Sequence, residues 1–346
     1  MEIFLTGATG FIGSHLTRKL TRCGHRVTVY IRKTSSLKFL PKKRVEVIYG
    51  DIRNYNQLQK SLKGFDIVIH NAALVSDWAK KRDFYQTNVD GTRNVLESIK
   101  YNKIKKLTFI STIGVLGEED CLIAKDENSP YKPRLNYFFS NIFESDMNHY
   151  RITKMLAEKS AIEFCRENQI DLTVIRPAWV YGPREFHAGP FYFCKSIIDG
   201  LVAAPIGESN RFHVVYVEDL IKAVVLAIEK DLSGINIFNI GNEKPPLIKE
   251  YLGLFAKMLG KSLPASIPEV FFQPIGFCSE LIYKLVNKEK SPLLTRARVK
   301  MYYCNNIYDV SKAKRKLNFV ASTPLETGIE KTVRWYRQNG FLKMKG

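Results

Sequence analysis

An apolar strand followed by a glycine-rich turn and a helix limits most strongly what this chain can fold into. Residues 2–6 (EIFLT) are predicted to form the strand, Gly7, Gly10 and Gly13 follow it, and apolar residues then recur with helical spacing as far as Leu20. Glycines allow the backbone to turn tightly and to approach a phosphate closely, and the first amides of the next helix can bind that phosphate. We therefore expect this turn to hold a pyrophosphate.

Apolar strands and helical segments alternate along the rest of the chain. Six more segments are predicted to be strands, namely residues 26–31, 45–49, 66–70, 106–111, 172–176 and 235–240. The alternation predicts an α/β protein with a doubly wound parallel sheet, whose ligands bind at the carboxyl ends of the strands. The predicted nucleotide-binding domain comprises residues 1–177 with 212–241, and the predicted smaller substrate-binding lobe comprises residues 178–211 and 242–346.

The end of the second predicted strand indicates which dinucleotide binds. In sites that prefer NAD, an acid at this position usually binds the 2′-hydroxyl of the ribose. Ile31 occupies the position here, and Arg32 and Lys33 follow it. A guanidinium and an ammonium would bind the 2′-phosphate of NADP, which a carboxylate would repel. We therefore expect NADP, with NAD as the alternative if the two cations merely begin a solvated loop.

Polar and small residues follow the third and fourth predicted strands. Asp51 could accept a hydrogen bond from an adenine amino group, or it could cap the helix that begins near Tyr55. Asn71–Ala73 are small enough for a cofactor to lie close to the backbone. His70 is interpreted as a packed core residue and not as a ligand.

Tyr150 and Lys154 lie four residues apart in Glu144–Glu158, a segment with helical spacing. Residues at this spacing share one face of a helix. An ammonium beside a phenol stabilises the phenolate, so we expect Lys154 to lower the pKa of Tyr150 towards the range of a general acid or base. The same spacing also occurs in ordinary solvated helices, and the glycine-rich turn is what favours the catalytic interpretation.

The composition indicates a globular intracellular protein. The N-terminus has no signal-peptide pattern, and no window is apolar enough to span a bilayer. The six cysteines are scattered without metal-ligand spacing, so we expect reduced thiols, no metal site and a cytoplasmic location.

The formal net charge of +19 admits three interpretations: a lysine-rich solvated surface, attraction to anionic ligands, or attraction to nucleic acid or an anionic membrane. The basic clusters at residues 32–44, 100–106 and 312–316 lack the interleaved aromatic side chains of single-strand-binding surfaces. We therefore expect no nucleic-acid partner.

Two segments do not fit the alternating pattern. Residues 113–143 form a long connection with several aromatic residues, which is typical of a lid or a binding loop. Residues 269–287 have a continuous apolar face at helical spacing. That face could be ordinary packing, a subunit interface, the wall of an apolar substrate pocket, or a patch that rests on a membrane surface.

Seven ordered motifs resemble the extended short-chain dehydrogenases/reductases, of the NAD(P)-dependent epimerase/dehydratase type, over nearly the whole chain. They are TGATGFIG (residues 6–13), GDI (50–52), HNAA (70–73), NVDGT (88–92), STIGVLG (111–117), YRITK (150–154) and RPAWVYGPRE (176–185). Three further segments resemble the branch of 3β-hydroxysteroid dehydrogenases and dihydroflavonol-4-reductase-like enzymes: VSDW (75–78), PLLTRARV (292–299) and YDVSKAKRKLNF (308–319). The resemblance implies a Rossmann fold and, as in many members, a homodimer.

The resemblance also implies roles for single residues. Tyr150 would be the catalytic acid/base, and Lys154 would lower its pKa and bind the nicotinamide ribose. Thr112 would hold the substrate oxygen, with Ser111 as the alternative. With Arg32 and Lys33 included, the expected cofactor-binding residues are Gly7, Thr9, Gly10, Phe11, Ile12, Gly13, Arg32, Lys33, Asp51, Ile52, Asn71, Ala72, Ala73, Asn88, Tyr150, Lys154 and Pro177.

Two features depart from the family pattern. The connection between Thr112 and Tyr150 is longer than in most members, so we expect an unusual loop over the site. Ile31 replaces the acid of the NAD-using members.

We therefore expect an NADP-dependent oxidoreductase that interconverts a secondary alcohol and a ketone on a bulky, largely apolar, steroid- or flavonol-like substrate. The alternative is a nucleotide-sugar epimerase, dehydratase or reductase, whose diphosphate the basic surplus could bind. A non-catalytic NADP-binding protein would not need Tyr150, Lys154 and Thr112 together. The expected partners are a small-molecule substrate, a second copy of the chain and, through residues 269–287, a membrane surface.

Overall fold

The computed structural model describes residues 1–118, 121, 123–186, 189–288 and 290–343. Parts of two predicted regions lie outside the described residues. They are residues 119, 120 and 122 of the long connection, and residues 187, 188, 289 and 344–346 of the smaller lobe.

Seven strands build one parallel sheet. The strands of the described chain are β1 (Glu2–Thr6), β2 (Arg26–Ile31), β3 (Val45–Tyr49), β4 (Ile67–His70), β5 (Lys106–Ile110), β6 (Asp171–Pro177), β7 (Trp179–Tyr181), β8 (Ala203–Ala204), β9 (Val214–Tyr216), β10 (Ile235–Ile240) and β11 (Ala265–Ser266). The sheet has the order β3-β2-β1-β4-β5-β6-β10, and β7 with β9 and β8 with β11 form two short pairs. The winding direction changes between β1 and β4, so a ligand is expected above the carboxyl ends of these strands.

Helices cover both faces of the sheet. They are α1 (Phe11–Arg22), α2 (Tyr55–Ser61), α3 (Lys81–Phe84), α4 (Gly91–Tyr101), α5 (Asp146–Glu167), α6 (Pro190–Ile198), α7 (Val217–Glu229), α8 (Ile248–Met258), α9 (Glu269–Leu285), α10 (Arg296–Met301), α11 (Ser311–Leu317) and α12 (Leu325–Gln338). A π-helical turn (Tyr85–Asp90) leads into α4, and a 3₁₀ turn (Ile113–Leu116) follows β5.

The alternation of side chains along β1 divides the core into two layers. Ile3 and Leu5 point to one face, where they join Leu16 of α1 in the larger apolar cluster. Phe4 points to the other face and joins a second cluster with Val95 of α4 and residues of α2 and α5. Successive residues of a strand point to opposite faces, so both faces of β1 are buried under helices.

The predicted fold class is confirmed: the chain is an α/β protein with a doubly wound parallel sheet, a Rossmann fold. All seven predicted strands are present, because parallel strands buried on both faces appear in a sequence as nearly continuous apolar runs. The alternative that Asp51 caps α2 is wrong. Asn54 is the cap, and its side chain accepts a hydrogen bond from the Gln57 amide at 3.1 Å.

The division into a nucleotide-binding domain and a smaller lobe stays a prediction. One apolar cluster contains Leu16 and Leu220 of the first part together with Tyr251 and Ile329 of the second. The two predicted parts therefore share a core.

All six cysteines are free thiols. No helix within the described ranges combines the length and the apolar character needed to cross a membrane.

Candidate active site

The glycine-rich turn between β1 and α1 is closed by packing on one side and open on the other. Gly7 has a φ of +70°, and a Cβ on it would lie 2.6 Å from the Ala72 backbone nitrogen. A Cβ on Gly13 would lie 2.1 Å from the Gly7 carbonyl oxygen. Gly10 is exposed, and the nearest atom to a Cβ there would be the same oxygen at 3.5 Å. Gly7 and Gly13 thus allow close packing, while Gly10 lines the open side.

The N-terminus of α1 fits a pyrophosphate. Gly10 is the N-cap, supplies no side-chain cap, and is followed by a first turn without acids. The amides of Phe11 and Ile12 are therefore left to an anionic ligand, which the helix dipole also favours. Thr9 lies half-buried beside them. The residues present at this end fit the phosphates of a dinucleotide.

Hydrogen bonds hold the segment after β4 against this turn. The Asn71 side-chain amide donates to the Gly7 carbonyl at 3.0 Å. The Ala72 backbone amide donates to the Thr6 hydroxyl at 3.1 Å. The predicted cofactor residues Asn71, Ala72 and Ala73 are therefore brought next to the glycine-rich turn.

Asn88 supports this segment from behind. Its side chain accepts a hydrogen bond from the Leu74 amide at 2.7 Å, and donates to the Leu74 carbonyl at 3.2 Å and to Thr153 Oγ1 at 3.1 Å. Asn88 is buried. Because its side-chain amide is occupied within the protein, the expectation of a direct cofactor contact is corrected: Asn88 positions the segment after β4.

His70 is a packed core residue, as predicted. Its Nδ1 lies 2.8 Å from the Thr6 hydroxyl, and its Nε2 lies 3.0 Å from the Thr92 hydroxyl. Burial, and then the charge of Lys154, lowers the pKa of His70 to about 3. The ring is therefore neutral at pH 7 and ties β1 and β4 to α4.

The end of β2 presents two cations to solvent. Ile31 is buried, whereas Arg32 and Lys33 are exposed. Neither cation forms a side-chain hydrogen bond or ion pair with another described residue. Both are therefore able to meet an anionic ligand at the carboxyl edge of the sheet.

Asp51 and Ile52, predicted to line the adenine, have other partners. Both Asp51 carboxylate oxygens accept hydrogen bonds from the Arg53 guanidinium, at 2.7–3.1 Å. This hydrogen bonding is the main cause that lowers the pKa of Asp51. Ile52 is buried, and a Cβ on Gly91 would lie 2.7 Å from its Cδ1. An ionised carboxylate has acceptor sites beyond those that Arg53 occupies, so the contact of Asp51 with an adenine amino group stays a prediction.

Thr112, and not Ser111, is brought to Tyr150. The Thr112 side chain accepts a hydrogen bond from the Gly114 amide at 3.1 Å and lies close enough to the half-buried Tyr150 phenol to favour a lower pKa for it. The Ser111 hydroxyl donates to the buried carboxylate of Glu158. Consecutive residues leaving a strand point in opposite directions, which separates the two hydroxyls.

Lys154 lies one turn after Tyr150 on α5, but its ammonium is directed elsewhere. Nζ donates to the Ile110 carbonyl at 2.7 Å and lies 4.3 Å from the centre of the Phe109 ring. Burial lowers the pKa of Lys154 to about 8, against the opposing effect of Glu158.

The Tyr150 phenol is therefore not acidified by Lys154. Burial raises the pKa of Tyr150 to about 12, the Glu118 carboxylate adds to this, and Thr112 and Arg151 oppose it. The expectation that Lys154 lowers the Tyr150 pKa is wrong for this arrangement, because burial outweighs the charges near the phenol and the ammonium binds a backbone carbonyl.

Residues 3–241 match the model of the NAD dependent epimerase/dehydratase family. The chain belongs to this family. A 2-alkyl-3-oxoalkanoate reductase of Shewanella oneidensis is 26% identical over 95% of this chain and 84% of the relative. A 3β-hydroxysteroid-dehydrogenase/decarboxylase (isoform 1) of Arabidopsis thaliana is 28% identical over 95% of this chain and 78% of the relative. The structure of a Thermotoga maritima UDP-glucose 4-epimerase with UDP-glucose is 26% identical, with a TM-score of 0.77, over 98% of this chain and 99% of that one.

Membership of the epimerase/dehydratase family confirms the resemblance to the extended short-chain dehydrogenases/reductases. It also confirms the prediction of an NAD(P)-dependent enzyme and supports a nicotinamide cofactor.

A buried ion pair beside Tyr150 was not predicted from the sequence. Arg151 pairs with Glu118, and its Nη1 donates to the Tyr137 hydroxyl at 2.6 Å. Glu118 and Arg151 are almost fully buried. The sequence contains only a weak indication of this ion pair. Arg151 is adjacent to Tyr150 in the chain, and residues one position apart do not share a helix face. The pair fixes the long connection against α5 next to the phenol.

A second buried network holds the end of β6, and it too was missed. Glu158 accepts hydrogen bonds from Arg176 Nε at 3.0 Å and from the Tyr131 hydroxyl at 2.8 Å. One sequence feature could have indicated this network, since Glu158 follows Lys154 by four residues on the helix face that carries Tyr150. Arg176 precedes Pro177, which is buried at the carboxyl end of β6. The network thus places Pro177 at the same edge as Thr112 and the glycine-rich turn.

Proposed function

We propose that this family member is an NADP(H)-dependent oxidoreductase that interconverts a secondary alcohol and a ketone on a bulky, largely apolar substrate. One observation carries the proposal: the Thr112 side chain lies beside the Tyr150 phenol, where it opposes the rise in the phenol's pKa, and Lys154 follows one turn further along α5. The carboxyl edge of the sheet also holds the uncapped N-terminus of α1. A general acid is thus set beside the predicted cofactor site.

The chain's own groups would act on the substrate oxygen. Burial raises the pKa of Tyr150 to about 12, so the phenol is protonated at pH 7 and carries the proton that a carbonyl oxygen would accept. Thr112 would hold that oxygen beside the phenol. The nicotinamide cofactor, when bound, supplies or accepts the hydride at the substrate carbon. Lys154 would hold the ribose next to the nicotinamide.

The proposal is tested with Tyr150→Phe. We expect turnover to fall by roughly three to four powers of ten, since the proton donor is lost. NADPH affinity, measured by fluorescence titration, should stay within about threefold of wild type because the phenyl ring keeps the packing. Turnover close to that of wild type would refute the role of Tyr150.

The preference for NADP rests on the exposed cations after β2. We expect Arg32→Ala/Lys33→Ala to weaken NADPH binding by roughly a hundredfold and to leave NADH binding nearly unchanged, since only NADPH carries the 2′-phosphate. The matched control is Lys42→Ala/Lys43→Ala, which removes two exposed cations from the same loop. Equal losses for NADPH and NADH would contradict the assignment.

An apolar substrate is supported by aromatic rings near the start of α5. Lys284 pairs with Asp146 at 3.2 Å, and its Nζ lies 4.1 Å from the centre of the Phe143 ring and 5.4 Å from that of Trp78. Asp146 is the first residue of α5 and lies about one helical turn before Tyr150. The names of the two relatives, a 2-alkyl-3-oxoalkanoate reductase and a 3β-hydroxysteroid-dehydrogenase/decarboxylase, also describe largely apolar skeletons that carry a 3-oxo or a 3-hydroxy group.

A nucleotide-sugar epimerase is the second candidate, favoured by the similarity to the UDP-glucose 4-epimerase. The two functions differ in what happens to the cofactor. An epimerase would return the nicotinamide to its starting state, so the absorbance of NADPH at steady state would not change. Net oxidation of NADPH with 3-oxo acids or steroid ketones, and none with UDP-sugars, would support the oxidoreductase.

A further inference from the structure

Helix α9 exposes most of its apolar residues to solvent and buries polar residues against the protein. Its buried residues are Gln273, Gly276 and Glu280, two of them polar. The opposite side exposes a stripe of apolar residues, which we call the α9 face: Val270, Phe271, Ile275, Cys278, Leu281, Ile282, Leu285 and Val286. Ile275 and Ile282 expose 54% and 57% of their surfaces. Surface helices normally bury such a stripe, so packing within this chain does not explain the α9 face.

A buried ion pair fixes this orientation. The Glu280 carboxylate accepts hydrogen bonds from the Arg296 backbone amide at 2.6 Å and from the Arg296 guanidinium at 2.7 and 3.0 Å. Rotating α9 to bury its apolar stripe would break this pair and leave the buried Arg296 guanidinium without its carboxylate partner, against apolar side chains. The exposed stripe is therefore part of the folded structure.

The apolar surface continues beyond α9. Phe138 and Phe139 of the long connection contact Phe277, with ring centres 6.1 and 5.4 Å away. Both are exposed, as is Ile142 at 73%. A shallow, open depression of about 420 Å³ lies on the outer side of α9, lined by Pro274, Ile275, Cys278, Ser279, Ile282 and Tyr283.

Cations border the C-terminal end of the α9 face. Lys288 and Lys290 are exposed directly after the helix. The Trp78 indole donates to the Lys288 carbonyl at 2.9 Å, which brings the exposed Lys80 and Lys81 of the neighbouring segment to the same end. An apolar stripe with a basic border is typical of helices that lie in the interface of an anionic bilayer.

We propose that the α9 face docks the protein on an anionic lipid surface, with the apolar stripe at the level of the acyl chains and the lysines among the headgroups. Charge complementarity selects this occupant. The chain has a formal charge of +19, so two copies that approached through faces with basic borders would repel each other, whereas anionic headgroups attract them. This inference does not depend on the proposed reaction.

The test is co-sedimentation with vesicles of phosphatidylcholine alone and with about one third phosphatidylglycerol. We expect binding to the anionic vesicles that weakens as salt is raised. Ile275→Ser/Ile282→Ser should reduce binding by at least roughly tenfold, and Lys288→Gln/Lys290→Gln by roughly threefold. The matched control is Tyr101→Ser, which removes an exposed apolar side chain (68%) where α4 ends beside the amino ends of the strands.

Unchanged melting temperatures would show that the variants fold, as expected for exposed positions. The proposal is overturned if the wild-type chain binds neither kind of vesicle, or if Ile275→Ser/Ile282→Ser binds as well as wild type. Analytical ultracentrifugation tests the alternative that a second copy of the chain binds the α9 face. Self-association that this double variant abolishes, without vesicle binding, would assign the α9 face to a second copy and overturn the lipid proposal.

Discussion

The neighbouring residues Ser111 and Thr112 have hydroxyls that face different partners. Ser111 donates a hydrogen bond to Glu158, and Thr112 lies beside the Tyr150 phenol. We therefore expect Thr112→Val to lower kcat by roughly a hundredfold, because the substrate oxygen loses its second contact. Ser111→Ala should change kcat by less than about threefold but cost about 2 kcal/mol of stability, since a hydrogen bond to a buried carboxylate is lost. Steady-state kinetics and urea unfolding distinguish the two, and equal losses of kcat would contradict the geometry.

Lys154 is a buried cation, and its charge should appear in the pH dependence of stability. Burial lowers its pKa from 10.5 to about 8. Between these values the unfolded chain binds more protons than the folded chain, so this residue makes stability rise with pH across that window. Below pH 8 the buried charge costs on the order of 3 kcal/mol.

Lys154→Met removes that cost. We expect the variant to be more stable than wild type at pH 7, by an amount that the loss of the hydrogen bond to Ile110 reduces. This difference in stability should shrink as the pH rises from 8 to 10.5. Urea unfolding of the cofactor-free proteins at a series of pH values measures this. Parallel pH profiles for the two proteins would show that Lys154 titrates normally.

The sequence predicts which residues of the site come together but not how they point. The four-residue spacing correctly puts Tyr150 and Lys154 on one helix. Whether the ammonium meets the phenol depends on a side-chain rotamer and on a competing acceptor, the Ile110 carbonyl. The pKa of Tyr150 likewise depends on burial and on the charge of Glu118 in the long connection, whose course has no periodic signal in the sequence.

At the scale of elements, the strands were predictable and the orientation of α9 was not. Buried parallel strands produce apolar runs wherever they occur. An amphipathic pattern shows only that the two faces of a helix differ, not which face is buried. For α9, the ion pair between Glu280 and Arg296 fixes which face is buried, and Arg296 lies outside the helix. The short strands β7, β8 and β11 have two or three residues each, too few to show a period.

Gly10 and Gly13, in the strand–turn–helix unit at the N-terminus, have different structural roles. Gly13→Ala should cost about 3 kcal/mol of stability, because a Cβ would lie 2.1 Å from the Gly7 carbonyl oxygen. Gly10→Ala should cost less than about 1 kcal/mol, as its Cβ has room. It should nevertheless weaken NADPH binding by roughly tenfold, because the methyl group would enter the pyrophosphate side of the turn. Unfolding and fluorescence titrations measure both effects, and a Gly10→Ala protein with normal affinity would place the cofactor elsewhere.

At the scale of the whole molecule, the two predicted parts are joined by packing and hydrogen bonds. The Tyr181 ring lies 5.5 Å from that of Tyr216 in the nucleotide-binding part and 5.5 Å from that of Tyr251 in the predicted lobe. His15 Nε2 of α1 lies 2.8 Å from the Pro183 carbonyl oxygen. Such contacts couple the stability of the lobe to that of the sheet.

We therefore expect one cooperative thermal transition in differential scanning calorimetry, with the calorimetric and van't Hoff enthalpies in agreement. NADPH at about a hundred times its dissociation constant should raise the stability of the entire unit by about 2.7 kcal/mol, and so move that single transition to higher temperature. Tyr181→Ala should lower the same transition without splitting it, because the ring contacts both parts. Two transitions, of which NADPH shifts one, would instead show that the nucleotide-binding part and the lobe unfold independently and that their shared core contributes little.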